Sequence, residues 1–201
     1  MNTRTEYSVL QDAARSEAAS RTGTAAGRGV TDSALTDLSP LRLRSIMGNF
    51  GSGVTVITSA TPDGPAGFTC QSFTSLSLEP ALVTFNPARS SSTWPRIREI
   101  GSFTVNVLGA DQQALSGQFA RSGTDKFAGV DWTESPFGNP ILPGAVTWID
   151  CTLHAEYDGG DHTIVVGAVH ALASNDEAEP LLFVRGSYRG LQPLTEAAVS
   201  R

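Results

Sequence analysis

The chain has 201 residues, 40% of them hydrophobic and 17% charged, and a formal net charge of −6. That length suits one domain with a tail and is enough to bury a sizeable core. The acidic balance argues against nucleic acid or an anionic membrane as the main partner, so an anionic ligand has to be held by local groups. Cys70 and Cys151 have no CxxC spacing, which implies neither a zinc site nor a disulfide framework and points to a reducing cytosol. No stretch approaches the ~20 apolar residues of a membrane span, and the N-terminus lacks the apolar core of a signal peptide.

Residues 1–38 are rich in Ala, Ser, Thr, Gly and Arg with few large apolar groups, and read as a flexible tail in which residues 6–19 have the makings of a short helix. Ser39 and Pro40 then read as the cap and first position of a helix, with Leu43, Ile46, Met47 and Phe50 on one face and Gly51 and Gly53 as its stop. VTVITSA at 54–60 is β-rich, and the TPDGP that follows predicts a hairpin into residues 64–78. ALVTFN at 81–86 is the next strand, and a helix is expected from near Ser92, with Trp94, Ile97 and Ile100 at helical spacing. SFTVNVL at 102–108 reads as a strand, 111–119 as a short helix capped by Asp111, and 121–127 as a loop. Residues 132–144, dense in Pro and Gly, read as a surface excursion. Two long strands at 145–157 and 163–173 flank DGGDH, and two short ones at 181–184 and 188–191 flank Arg185-Gly186. Six or seven strands with three short helices, and no regular alternation between the two, predict a mainly β protein built on an antiparallel barrel, in a domain spanning 39–194 with 195–201 as a C-terminal tail.

The organising stretch is GPAGFTCQSFTSLSL at 64–78, which carries no charge but many hydroxyls, an amide and two phenylalanines. Gly64 and Gly67 allow close backbone approach, and Thr69, Gln71, Ser72, Thr74 and Ser75 supply neutral donors and acceptors, the lining wanted by a polar heteroaromatic ring such as a flavin. The plainer account is a half-buried strand and turn whose hydroxyls satisfy the backbone. Arg89, Ser90, Ser91, Ser92 and Thr93 sit between strand and helix, where hydroxyls, backbone N–H groups and a cation either cradle a phosphate or simply cap the helix. Arg121 and Lys126 are loop cations, suited to clamping a phosphate or to solvation alone. The three histidines form no metal constellation. His162, beside Asp161 in a turn, is the candidate for a pocket mouth, with a plain turn residue as the alternative, whereas His154 and His170 lie within strands. Walker, GxGxxG and GxSxG motifs are absent.

Taken in order, GFTCQSFTSLSLEP, FNPARSSSTW, FTVNVL, FARSGTDKFAGVDW, IDCTLHAEYDGGDHTIVVGAV and LLFVRGSYRG resemble the flavin reductase family. These are the small NAD(P)H:flavin oxidoreductase components of two-component flavin-dependent monooxygenases, and the resemblance runs from about residue 40 to 192. It implies an FMN-binding split barrel, a Greek-key antiparallel β-barrel with peripheral short helices, acting as a homodimer with flavin near the subunit interface. It also implies FMN or FAD as flavin, NADH or NADPH as electron donor, and a separate oxygenase that receives the reduced flavin. By resemblance, Pro65, Ala66, Gly67, Phe68, Thr69, Gln71 and Ser72 line the isoalloxazine and ribityl chain. Asn86, Pro87, Ala88, Arg89, Ser90, Ser91 and Ser92 hold the phosphate end with Phe119, Ala120, Arg121 and Lys126. Gly160, Asp161, His162 and Thr163 meet the nicotinamide, with His162 orienting it in the hydride transfer to flavin N5 or protecting the site rather than serving as an obligatory base. Two positions depart from the family pattern: Glu79-Pro80-Ala81 replaces a frequent double proline, and Asn86 stands where a cysteine is common. The same barrel also serves flavin-retaining oxidases and non-catalytic flavin- or haem-binding modules, which are the rival expectations.

Overall fold

The computed structural model describes residues 35–192; the expected tails and the short helix at 6–19 fall largely or wholly outside that range. The chain divides into two units, residues 1–42 and 43–201. In the described part of the first, the Asp37 carboxylate accepts the Ser39 N–H at 2.9 Å and Ser39 Oγ accepts the Arg42 N–H at 3.4 Å, the capping arrangement expected of Ser39. Helix α1 is Pro40–Met47. It ends earlier than Gly51 and Gly53 suggested, because Gly48 already closes the last turn on the Arg44 carbonyl at 2.9 Å, and Gly53 belongs to a strand. Leu43, Ile46, Met47 and Phe50 are all exposed.

The second unit is mainly β. Its strands are β1 (Ser52–Gly53), β2 (Thr55–Thr61), β3 (Gly64–Cys70), β4 (Thr74–Leu78), β5 (Ala81–Phe85), β6 (Ser102–Val107), β7 (Thr133–Glu134), β8 (Pro140–Ile141), β9 (Thr147–Gly159), β10 (His162–Ser174), β11 (Leu182–Val184) and β12 (Ser187–Arg189), with helices α2 (Trp94–Ile100) and α3 (Gln113–Ala120) between them. The expected hairpin forms with Thr61 opposite Gly64. The stretch 64–78 is not one strand, however, but two, broken at residues 71–73.

Seven strands make one antiparallel sheet in the order β3-β2-β6-β9-β10-β5-β4. Four strands separate β3 from β5 in that order, yet the Phe68 and Phe85 rings lie 6.3 Å apart. A flat sheet at ~4.8 Å per strand would hold them far apart, so the sheet is rolled into the expected antiparallel barrel, with β3 and β4 as the unpaired edges. Its interior holds Ile57, Phe68, Val83, Phe85, Phe103, Val105 and Val165, and Trp94 and Ile97 of α2 pack into the same cluster. Ile100, the third apolar residue of that helix, stays outside. The other face of β2 is also covered, since Val54 and Val56 pack with Leu108, Phe119, Leu142 and Leu181. Residues 54–59 are accordingly buried throughout.

Two expectations give way here. Residues 132–144 are not merely a surface excursion: Asn139 and Leu142 are buried, and the segment is tied down by Asp150, whose carboxylate accepts from Thr104 Oγ1 (2.7 Å), the Phe137 N–H (2.9 Å) and Asn139 Nδ2 (3.3 Å). Nor does Asp111 cap α3. Gln112 occupies the cap position, with its side-chain oxygen accepting the Gly109 N–H and its amide donating to the Pro143 carbonyl.

Candidate active site

Three stretches distant in sequence are laced together at the end of β5. Ser72 Oγ accepts the Asn86 N–H at 2.8 Å and donates to the Asn86 carbonyl at 3.3 Å. On the opposite side the Thr163 N–H reaches the Pro87 carbonyl at 3.0 Å, the Arg89 N–H reaches the Asp161 carbonyl at 2.9 Å, and Ala88 bridges His162. The corner after β3, the segment leaving β5 and the β9–β10 turn therefore form one continuous wall. The bonds that join the β5 exit to the β9–β10 turn are backbone to backbone and use no side chain.

Helix α2 rises from that wall and has a cleft on each side. The first, of about 280 Å³, lies between residues 65–67 of β3, the Ser92, Thr93 and Arg96 side of the helix start, and the loop 123–127, with Asp63 at its rim. The second, of about 330 Å³, is lined by Ala88, Arg89, Ser91, Trp94, Pro95, Arg98 and Thr163. The segment before the helix and its first turn divide between the two clefts: 92, 93 and 96 line the first, and 91, 94, 95 and 98 the second.

The two clefts differ in charge. In the second, both cations are paired: Arg89 Nη2 lies 2.7 Å from Asp158, and Arg98 Nη1 lies 3.7 Å from Glu156, which also accepts from Trp94 Nε1 at 2.9 Å. The Gly160 N–H and then the Arg89 charge hold the Asp158 carboxyl below its usual range. In the first cleft, Arg96 donates to Thr61 Oγ1 (3.0 Å) and Lys126 to Thr93 Oγ1 (3.4 Å), and among the described residues neither forms an ion pair. Burial pushes the Lys126 ammonium below its ordinary value. Asp125 in the same cleft is turned onto its own loop, accepting the Phe127 N–H at 3.0 Å. His162 Nδ1 lies 2.7 Å from Asp161 Oδ1, and that hydrogen bond, followed by the imidazole's charge, lowers the Asp161 carboxyl.

The residues expected from sequence fall into distinct groups. Pro65, Ala66, Gly67, Ser92 and Lys126 line the first cleft, and Ala88, Arg89, Ser91 and Thr163 the second. Asn86 and Pro87 lie in the wall between. Asn86 Oδ1 is buried without a hydrogen-bond partner among the described residues. Gln71, Ser72 and Ser90 are exposed, as are Gly160 and Asp161 of the turn, while His162 is half-buried. His162 proves to open β10, paired with Gly159, so that the turn proper is Gly160-Asp161. Thr93 occupies the cap position of α2 without a side-chain cap bond, and Ser91 Oγ, two residues earlier, accepts the Trp94 N–H at 3.1 Å, so part of the serine run is spent on the backbone at the helix start.

Other positions are structural. Phe68 is only 9% exposed and Phe119 is fully buried, each within an apolar cluster. Thr69 Oγ1 donates to the Ser116 carbonyl of α3 at 2.7 Å. Ala120 and Arg121 are exposed and line neither cleft. Gly67 is glycine for a reason other than ligand approach: a Cβ there would sit 2.8 Å from Phe119 and 2.9 Å from the Ile57 carbonyl oxygen. Thr93, offered from sequence as part of a phosphate cradle or a helix cap, lines the first cleft, whereas sequence reasoning missed Arg96, Trp94 and Arg98 as cleft residues. The helical spacing of 92, 93 and 96 was the signal available for Arg96.

A rolled antiparallel sheet with a hydrogen-bonded wall at the exit of β5 and a cleft on each side of α2 makes a small β-barrel with room for a ligand. The chain matches the family model described as flavin reductase like domain over residues 47–192. It is 49% identical over 156 residues to the reductase subunit HsaB of a flavin-dependent monooxygenase from Rhodococcus jostii, covering 78% of this chain and 80% of that one. It is 44% identical over 145 residues to the FMN reductase (NADH) SmoA of Agrobacterium fabrum, covering 72% and 82%. Among solved structures, the NADH:FAD oxidoreductase SgcE6 of Streptomyces globisporus, in complex with NAD and FAD fragments, superposes with a TM-score of 0.75 at 34% identity, over 83% of this chain and 98% of that one. The chain belongs to the flavin reductase family.

Proposed function

We propose that this chain is an NAD(P)H-dependent flavin reductase that passes a hydride from the nicotinamide to FMN or FAD and releases the reduced flavin to a partner monooxygenase. The observation that carries the reading is the lacing of 72, 86–89 and 161–163 into one wall beside two clefts, one of which has an uncharged floor and cations without carboxylate partners. That donor set suits a flavin, which is a neutral ring with polar edges on a phosphate-bearing tail. Residues 65–67 would support the ring edge, and Ser92 with Lys126 would hold the phosphate. Gly160, Asp161, His162 and Thr163 would receive the nicotinamide, with the Asp161 carboxylate fixing the orientation of the His162 ring. When bound, the flavin supplies the two-electron acceptor chemistry, and the chain's own residues position the partners and exclude water.

Further elements of the reading follow from composition and surface. Residues 39–194 form the catalytic domain and the flanking stretches are tails. The enzyme is a homodimer, an assignment favoured by the exposed Leu43, Ile46, Met47 and Phe50 and by Leu78, 90% exposed on edge strand β4. Two buried free thiols suit a reducing cytoplasm.

The test is NADH or NADPH oxidation with catalytic or excess FMN or FAD. Turnover that rises with free flavin is the expected result. Turnover independent of added flavin would instead mark a flavin-retaining oxidase, and no turnover a binding module.

A further inference from the structure

We propose that the side-chain amide of Asn86 reads the pyrimidine edge of the flavin ring, with Oδ1 accepting the ring N3–H. The inference rests on the flavin reading and deepens it, moving Asn86 from the phosphate end, where the resemblance put it, to the ring. Asn86 is tied into the wall by its backbone alone: its N–H goes to Ser72 Oγ at 2.8 Å, and its carbonyl accepts from the same hydroxyl at 3.3 Å. The side chain is left over. Its Oδ1 is the one buried side-chain polar atom without a hydrogen-bond partner among the described residues, and its Nδ2 makes no hydrogen bond among them either. The other buried or half-buried amides are used by the fold. Asn106 donates to the Val56 carbonyl and accepts the Leu142 N–H, Gln112 spans Gly109 and Pro143, Gln118 donates to the Lys126 and Ala128 carbonyls, and Asn139 donates to Asp150. A buried acceptor with no donor is costly to keep, so one retained in the wall beside two clefts calls for a donor from a ligand.

The chemistry of the ring identifies that donor. Along its pyrimidine edge an oxidised flavin carries a carbonyl, the N3–H and a second carbonyl, and N3–H is the only donor on the ring. A side-chain amide sets an acceptor beside N–H donors. Placed against this edge, Oδ1 takes the N3–H while Nδ2 donates to the adjoining carbonyl, the same paired contact by which amides read the edges of nucleic acid bases. The amide torsion of asparagine is broad, so Oδ1 turns out of the wall without disturbing the backbone bonds to Ser72. Position agrees with this role. Ser72, which holds Asn86, belongs to the uncharged stretch that leaves β3, and the chain beyond Asn86 runs on through Ala88 into the second cleft. Gln71, the neighbouring amide, is exposed and has water to satisfy it. The cysteine common at position 86 in the family has a weakly bonding thiol and lacks the paired donor and acceptor of an amide, so the contact is a feature of this chain.

The test titrates FMN and 3-methyl-FMN, in which a methyl group replaces the N3 hydrogen, by flavin fluorescence against the unmodified protein and Asn86→Ala. The unmodified protein should bind FMN about tenfold or more tighter than the 3-methyl form, as expected when a buried acceptor loses its donor. Asn86→Ala should weaken FMN about tenfold and change 3-methyl-FMN less than about twofold, so that the preference between the two disappears. Binding of 3-methyl-FMN doubles as the check that the variant is folded, and the comparison on the unmodified protein decides the matter even where the variant is unstable. Equal binding of the two flavins by the unmodified protein overturns the assignment, as does undiminished FMN binding by Asn86→Ala. Equal weakening of both flavins in that variant, the result of a contact to the ribityl chain or phosphate instead, also overturns it; all three outcomes leave the flavin reading intact. Failure of the unmodified protein to bind FMN at all overturns both.

Discussion

Lys126 shows how a single residue in this site is tuned. Partial burial disfavours its charged form, so its ammonium discharges below the ordinary value of 10.5. The sign follows directly: below that lowered value the side chain is charged and attracts phosphate, and above it the attraction is gone. FMN affinity should therefore hold near neutrality and fall as pH rises into the alkaline range below 10.5, while riboflavin affinity stays flat over the same range. Parallel titrations of the two flavins against pH measure this, and a riboflavin curve that falls with the FMN curve would show that something other than the phosphate contact is titrating. At this scale the sequence was only partly legible. Uncharged side chains at 65–72 marked the right stretch, yet the rationale for Gly67 lay in Phe119, some fifty residues away, and no local pattern reveals such a packing partner. The pairing of Arg89 with Asp158 was hidden for the same reason, since it depends on which strand the β5 exit meets.

Among the elements, the segment carrying β7 and β8 depends most on one buried group. Asp150 is fully buried on β9 and has no cation partner among the described residues, its carboxylate being met by hydroxyl, backbone and amide donors. Replacement by Ala strips partners from all three at once. Asp150→Ala should cost about 3 kcal/mol, at the upper end for donors left buried and unsatisfied, and Asp150→Asn less, because one oxygen survives. Urea unfolding followed by circular dichroism measures both; a loss below about 1 kcal/mol for the Ala variant would mean that water satisfies the segment instead. Pro and Gly in 132–144 correctly announced turns but concealed this anchoring, because turn chemistry records backbone shape and not burial. For α2 the outcome was the reverse. Trp94 and Ile97 gave the buried face from spacing alone, although Ile100 at the same period stays exposed.

For the whole molecule, rolling the sheet brings Phe68, Phe85, Trp94 and Phe103 into one aromatic core, with the Phe85 ring 5.3 Å from Trp94 and 5.2 Å from Phe103. Cys70 and Cys151 belong to that core. Burial pushes both thiols up, Cys151 to about 12 with the Asp150 charge adding to the effect. Neither should react with a thiol-specific reagent at mildly alkaline pH until the barrel opens, so both should label together at the rate of global unfolding. Rapid modification of one thiol in the native protein would reveal local opening of its strand. The barrel class was readable because the strand signals showed no regular alternation with helices. The closure itself was not, since register across β6 and β9 is set by long-range pairing.

The seam between 86–89 and 161–163 also bears on how such a protein can be re-engineered. Loop transplants aimed at donor preference would naturally swap the Gly160-Asp161 tip alone, yet that tip is stitched to the exit of β5 through the Asp161 carbonyl and its neighbours. A graft has to carry both strands of the stitch, or the exit of β5 will inherit whatever distortion the new loop brings.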